Sequence, residues 1–210
     1  MTRGKLITIE GVEGVGKTTN ISVVQQLLTE SGLSCLVTRE PGGTALAESI
    51  RLLLLDRDET TMDSITELLL VFAARSHHVN ALIRPALAAG HWVICDRFTD
   101  STYAYQGGGR GIDESVIREI ETLALGGFEP DLTLLLDLPV ATGMARATAR
   151  AEQDRFESED VAFFERVRQV FLRRAAEIPR FRVIEANAAA DLVAARVRDA
   201  VMPLLPGSKI

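Results

Sequence analysis

The 210-residue chain has only two cysteines, Cys35 and Cys95, and both sit in apolar runs. That usage reads as free thiols inside a core rather than a disulfide framework, and it agrees with a cytoplasmic protein. A surplus of positive charge is also missing: 23 Lys and Arg stand against 29 Asp and Glu, a formal net charge of −6. This argues against long-range attraction to nucleic acid, although a local arginine cluster can still hold a small anion. No apolar stretch is long enough to span a bilayer, and no secretory leader precedes the first apolar run at residues 6–9, so no membrane role is expected. Long linkers are absent as well. A chain of this length can bury one substantial core, and short apolar runs alternating with longer helical segments favour one α/β domain over residues 1–210.

What is present begins at residues 11–18, Gly11-Val12-Glu13-Gly14-Val15-Gly16-Lys17-Thr18, directly after the apolar run. The Gly-x-x-x-x-Gly-Lys-Thr spacing between a strand and a helix is that of a phosphate-binding loop and points to a nucleoside-phosphate substrate. Gly11, Gly14 and Gly16 let successive amides converge on phosphate oxygens, and the following helix directs its positive end at the same anion. Lys17 can reach the β and γ phosphates, and the Thr18 hydroxyl can ligate the magnesium ion that bridges them. A plain Gly-rich turn would need neither the lysine nor the hydroxyl at fixed offset.

Apolar runs at residues 6–9, 33–38, 92–95, 132–137 and 182–185 predict five strands. Helices are predicted at 19–31, 64–89 and 190–201, with long helical crossovers elsewhere. Such alternation gives a parallel sheet covered on both faces, whose strand ends form a crevice on the side of the phosphate loop.

Further polar groups cluster at those strand ends. Asp96-Arg97 closes the third run, where the carboxylate can hold a water of the Thr18 magnesium and the guanidinium can neutralise an acceptor phosphate; a strand-end salt bridge is the plain alternative. Arg39-Glu40-Pro41-Gly42-Gly43 follows the second strand as a tight turn that lets backbone approach a ligand. Arg51 is either a phosphate fork or a solvated charge. Phe72 and Arg75 share a helical face that could stack on and hydrogen-bond to a base, though Phe72 reads equally well as core; Arg75, if buried, needs an acidic or ligand partner. Residues 101–111, Ser101-Thr102-Tyr103-Ala104-Tyr105-Gln106-Gly107-Gly108-Gly109-Arg110-Gly111, fit a mobile wall over a flat ligand or a loop anchored to the core by its aromatics. Arg146, Arg150, Glu152, Asp154, Arg155 and Glu157 read as a closing flap that brings arginines to the transferring phosphate, or as a helix surface laced with ion pairs.

Together these stretches resemble the bacterial thymidylate kinase family over nearly the whole chain, most specifically at residues 11–19, 39–44, 96–98, 105–111 and 154–157. The resemblance implies the three-layer α/β/α fold of P-loop NTPases, with a five-stranded parallel sheet and a short lid at about 147–159. It implies transfer of the ATP γ-phosphoryl group to dTMP, with Mg2+, by a cytosolic homodimer. By the same resemblance Gly11, Glu13, Gly14, Val15, Gly16, Lys17, Thr18 and Thr19 hold the ATP phosphates, and Thr18 and Asp96 serve the metal, Asp96 through water. Glu13, Arg39, Pro41, Arg51, Arg97, Ser101, Thr102, Tyr105, Gln106 and Arg75 surround dTMP. Tyr105 disfavours a 2′-hydroxyl, and Arg150 is supplied by the lid because the phosphate loop has no arginine of its own. Lys17, Arg97 and Arg150 are the expected catalytic groups.

The family's thymine-stacking Phe is Val71 here, so either Val71 or Phe72 meets the base. Its aspartate near the adenine falls at Glu185-Ala186-Asn187. Two other functional classes share the loop chemistry: a deoxynucleoside kinase and a nucleotide-dependent switch.

Overall fold

The computed structural model describes residues 3–56, 61–148, 155–156 and 159–207. Along the chain run β1 (Leu6–Glu10), α1 (Lys17–Glu30), β2 (Cys35–Arg39), α2 (Ala45–Leu55), α3 (Ser64–His78) and α4 (Arg84–Ala88). Next come β3 (Trp92–Asp96), α5 (Thr99–Thr102), α6 (Glu114–Leu125), β4 (Leu132–Asp137), α7 (Val140–Thr148), α8 (Val161–Glu177), β5 (Phe181–Glu185) and α9 (Ala190–Val201).

The five strands form one parallel sheet in the order β2-β3-β1-β4-β5. β1 is buried at every position, as a central strand covered by helices on both faces must be. Its one hydroxyl inside the sheet, Thr8, is satisfied by Thr133 on β4 at 2.9 Å. The predicted strands match to within one or two residues at each end. β2 begins at Cys35 because Leu33 N bonds back to Leu28 O at 2.9 Å to close α1, and Ser34 O accepts from Trp92 N at 2.8 Å.

Three expectations change. The single helix predicted over 64–89 is α3, a π-helical turn at Val79–Ile83, and then α4. Pro85 has no amide hydrogen and would press on the carbonyl one turn back, and the wider turn before it relieves that clash. The Gly-rich segment, expected as a mobile wall or as a loop anchored by its aromatics, is helical, with Tyr103 and Tyr105 in the core: α5 continues into a π-helical turn, Tyr103–Gly109. Its glycines serve close packing. A Cβ at Gly108 would lie 2.6 Å from Val170 Cγ2, and one at Gly109 would lie 2.4 Å from the Phe163 ring, so α8 can approach only because both are absent. The thiols differ too: Cys95 is buried, whereas Cys35 is partly exposed.

Asp100 fastens this segment to the sheet. Fully buried, it pairs with Arg174 of α8 and with Arg180 ahead of β5, each at 2.7 Å, and Arg180 also donates to Thr133. The Arg174 guanidinium lies 3.7 Å from the centre of the Tyr103 ring. Asp100→Asn removes the charge that both guanidinium groups face and should lower unfolding free energy by about 2–4 kcal/mol in urea denaturation. A change below about 0.5 kcal/mol would show that the triad does not hold the segment.

Candidate active site

Parallel pairing of β1 with β3 and of β3 with β2 brings three loops to one sheet edge: 11–16, 97–98 and 40–44. In the first, Gly14 has φ +72, and a Cβ there would fall 2.0 Å from Gly143 O. The loop can therefore turn and lie against the first turns of α7 only with glycine at this position. Gly16 caps α1, whose first turn holds no acidic residue, so the helix N-terminus keeps its positive end open to an anion. Lys17 Nζ reaches back to Gly11 O at 3.3 Å and Val12 O at 3.1 Å, with Glu13 Oε2 3.7 Å away. Burial, with Arg97 nearby, lowers the pKa of its ammonium.

Arg97 follows β3 with φ +66, an uncommon backbone conformation for a residue with a side chain. Its amide donates to Ile9 O at 3.0 Å. Its guanidinium donates to Glu13 Oε1 at 2.5 Å, Gly11 O at 3.0 Å and Ser101 Oγ at 3.3 Å, and lies 4.9 Å from the Tyr105 ring centre. Tyr105 Oη donates to Glu13 Oε1 at 3.1 Å. Burial raises the pKa of the Glu13 carboxyl, but Arg97 and Lys17 outweigh it and bring it to about 2. Next to this cluster Asp96 Oδ1 is buried without a hydrogen-bond partner among the described residues. An unsatisfied carboxylate oxygen beside a phosphate loop is suited to a metal-bound water.

Behind the cluster lies Glu10, fully buried, which accepts from Phe98 N at 2.7 Å and Ser101 Oγ at 2.6 Å. Burial, with Asp100 adding repulsion, pushes its pKa up to about 7.

A cavity of about 260 Å3 opens over these groups. It is lined by Glu13, Gly14, Gly16, Lys17 and Thr18, by Asp96 and Arg97, by Arg39, Glu40, Pro41 and Arg51, and by Val71, Arg75, Ser101, Thr102, Tyr105 and Gln106. Most of the residues expected around dTMP are thus together. Gly11, Val15 and Thr19 are not in the lining; Val15 packs in the core and Thr19 is exposed. Of Val71 and Phe72, Val71 lines the cavity. One position further along the helix, Phe72 is in the core, with its ring centre 4.9 Å from the Arg75 guanidinium. Arg51 donates to Pro41 O at 2.8 Å, and Arg39 pairs with Glu48 at 2.9 Å.

Of the expected flap, Arg146 is exposed on α7 and away from the lining. Arg155 donates to Leu54 O at 3.0 Å and to Glu67 Oε2 at 2.7 Å. Arg150, Asp154 and Glu157 lie outside the described residues. Asn187 is exposed in the turn before α9, whose N-cap is Ala189 with no side-chain cap.

A family model described as thymidylate kinase matches residues 9–197. The chain belongs to the thymidylate kinase family. Thymidylate kinase from Pseudomonas fluorescens is 55% identical over 203 residues, covering 97% of this chain and 95% of that protein. The one from Teredinibacter turnerae is 54% identical over 176 residues, covering 84% and 86%. The crystal structure of thymidylate kinase from Ehrlichia chaffeensis superposes with a TM-score of 0.77 at 35% identity, covering 95% of this chain and 98% of that one.

For this thymidylate kinase family chain, several groups around the site were not picked out from sequence. Phe156 lines the cavity, edge-on to Tyr105 at 6.0 Å between ring centres. Glu40 accepts from Arg75 Nε at 2.6 Å and is 3.0 Å from His78 Nδ1. Glu67 gathers Gln106, Arg110 and Arg155. The signal for Glu67 was a lone carboxylate heading the apolar run Leu68-Leu69-Leu70-Val71, which a buried helix face tolerates only with cationic partners. Glu40, His78 and Cys95 place ligand atoms within 4.8 Å of one another. Each of those atoms is already engaged, Cys95 Sγ with Arg97 O and His78 Nε2 with Thr38 Oγ1, so they form a hydrogen-bond network.

Glu10 has a testable pH signature. Its folded-state pKa lies above the ordinary 4.5, so its contribution to stability is present below pH 4.5 and is lost as pH rises through about 7. Glu10→Gln cannot titrate. In urea denaturation the variant should therefore gain stability relative to the parent between pH 5 and 8, by up to about 3 kcal/mol. A difference that stays constant across that range would contradict the assignment.

Proposed function

We propose that this protein phosphorylates dTMP to dTDP with ATP as donor, a step toward dTTP. The supporting observation is that one cavity is lined both by the phosphate-loop residues Lys17 and Thr18 and by the polar set Arg75, Thr102 and Gln106, with Arg97 and Arg51 also in its wall. The acceptor phosphate oxygen is already a competent nucleophile, so the protein needs no catalytic base. Positioning and neutralisation of charge dominate.

In this reading the amides of residues 11–19 and Lys17 hold the ATP phosphates, while Arg97 and Arg51 hold the acceptor phosphate. Glu13 lies near the deoxyribose, and Tyr105 beside it disfavours a 2′-hydroxyl. Magnesium, when bound, would supply positive charge against the ATP phosphates. The Thr18 hydroxyl and Asp96 would hold it, and the unsatisfied Asp96 Oδ1 fits a water of its shell. The segment at about 147–159 acts as a lid on a single kinase domain, bringing Arg150 to the transferring phosphate and excluding water.

The protein works in the cytoplasm as a homodimer. Supporting the dimer, Leu52, Leu53, Ile65, Leu69 and Leu123 are exposed on α2, α3 and α6, which pack side by side. Among the described residues no helix is long and apolar enough to cross a membrane.

Steady-state assays with dTMP and with thymidine as acceptors test the reaction class: dTMP should be the substrate, and a preference for thymidine would favour a deoxynucleoside kinase. Lys17→Met should abolish transfer with the fold intact. Arg150→Ala should lower turnover about 10²-fold or more at saturating substrates, with a smaller effect on dTMP binding. Turnover within twofold of the parent would make residue 150 a surface charge. Sedimentation at micromolar concentration should give twice the chain mass, and a monomer would reject the apolar face as an interface.

A further inference from the structure

Two groups facing the base pocket are held from behind by buried carboxylates: Glu40 fixes the plane of Arg75, which can only donate, and Glu67 fixes which end of the Gln106 amide faces the cavity. Arg75 and Gln106 both line the cavity and are each only 3% exposed. Of the five N–H groups of Arg75, one donates to Glu40 Oε2 at 2.6 Å, one to Thr102 Oγ1 at 2.8 Å and one to Phe98 O at 3.1 Å. The Phe72 and Phe98 ring centres lie 4.9 and 5.5 Å from the guanidinium carbon and help fix its plane. Among the described residues the remaining two N–H groups of Arg75 have no hydrogen-bond partner, so it offers them as donors to a ligand. Glu40 is itself held by His78 Nδ1 at 3.0 Å, and His78 Nε2 by Thr38 Oγ1 at 2.8 Å.

Gln106 is fixed in the opposite sense. Its Nε2 donates to Glu67 Oε1 at 2.8 Å. Glu67 is ion-paired with Arg110 at 3.3 Å and Arg155 at 2.7 Å and can only accept, so the amide cannot reverse. The Gln106 carbonyl oxygen is left for the ligand, so Gln106 presents an acceptor. Gln106 follows Thr102, the partner of Arg75, by one helical turn.

We propose that Glu40, by orienting Arg75, and Glu67, by holding the Gln106 amide with its oxygen toward the cavity, are positioning residues that aim a donor and an acceptor at a pyrimidine edge with a ring carbonyl next to a ring N–H. This rests on the reading of the cavity as a dTMP site. Thymine and uracil carry that edge. Cytosine carries the reverse, an amino group next to an unprotonated ring nitrogen, and would set donor against donor and acceptor against acceptor.

The test is kcat/KM with dTMP, dUMP and dCMP for the parent, Glu40→Gln and Glu67→Gln, with the KM for ATP as a control. In both variants the preference for dTMP over dCMP should fall about tenfold or more, mainly through KM. The preference for dTMP over dUMP should stay within about twofold, since those bases share the edge. A merely structural role would depress all three acceptors alike, and that result, or unchanged ratios in folded variants, would overturn the proposal. If Glu40→Gln loses a cooperative melt, His78→Asn releases the same carboxylate more gently and should shift the dCMP ratio in the same direction; no shift would overturn the role of Glu40. A parent that fails to use dTMP would instead overturn the reading of the site itself, and the proposal with it.

Discussion

The register of β1 against β3 pairs Ile9 with Asp96, and the chemistry of the cavity depends on that alignment. It brings the residues just past two adjacent strands face to face, so that Arg97 can hydrogen-bond both the Gly11 carbonyl and the Glu13 carboxylate. Parallel strands all point their carboxyl ends one way, and loops following β1, β2 and β3 therefore converge without long insertions. A slip of one residue would turn Asp96 to the other face of the sheet and separate it from the phosphate loop.

Around that edge the protein buries an unusual amount of charge, and each buried acid has a distinct environment. Glu13 sits between Arg97 and Lys17 and titrates near 2, whereas Glu10, one strand residue behind the loop, is surrounded by sheet and repelled by Asp100, and titrates near 7. Isolated buried ion pairs add little net stability, since desolvation offsets their attraction. Their effect here is geometric. They fix guanidinium planes and one amide against the wall of a cavity, at the cost of making those side chains intolerant of losing a partner.

Strands and phosphate loop were legible from sequence because both are local: a strand is a short apolar run, and the loop is a spacing of glycines, a lysine and a hydroxyl. The remainder depends on contacts remote in sequence. Glu40 and Arg75 are 35 residues apart, and nothing in either segment alone shows that they meet. Adjacent residues on a helix differ by about 100° in direction, so the choice between Val71 and Phe72 needed the packing of α3 against its neighbours. Gly107-Gly108-Gly109 stayed ambiguous because glycine serves both mobility and close approach, and only α8 lying against it distinguishes the two. Of the arginines expected to close over the transferring phosphate, Arg146 and Arg155 are away from it or paired elsewhere, and Arg150 falls outside the described residues.

The contact between Gly14 and Gly143 has a mechanical consequence. Each would place an added Cβ on the other segment's backbone, 2.0 Å from Gly143 O in one case and 2.5 Å from Glu13 O in the other. At this one contact backbone meets backbone with no side chain between, so the helix rests there on the loop as a rod on a fulcrum. From Gly143 to the end of α7 at Thr148 the arm is about 7.5 Å long at 1.5 Å per residue. A tilt of about 8° at the fulcrum moves the far end by about 1 Å, so the height of the loop sets where the chain leaves α7.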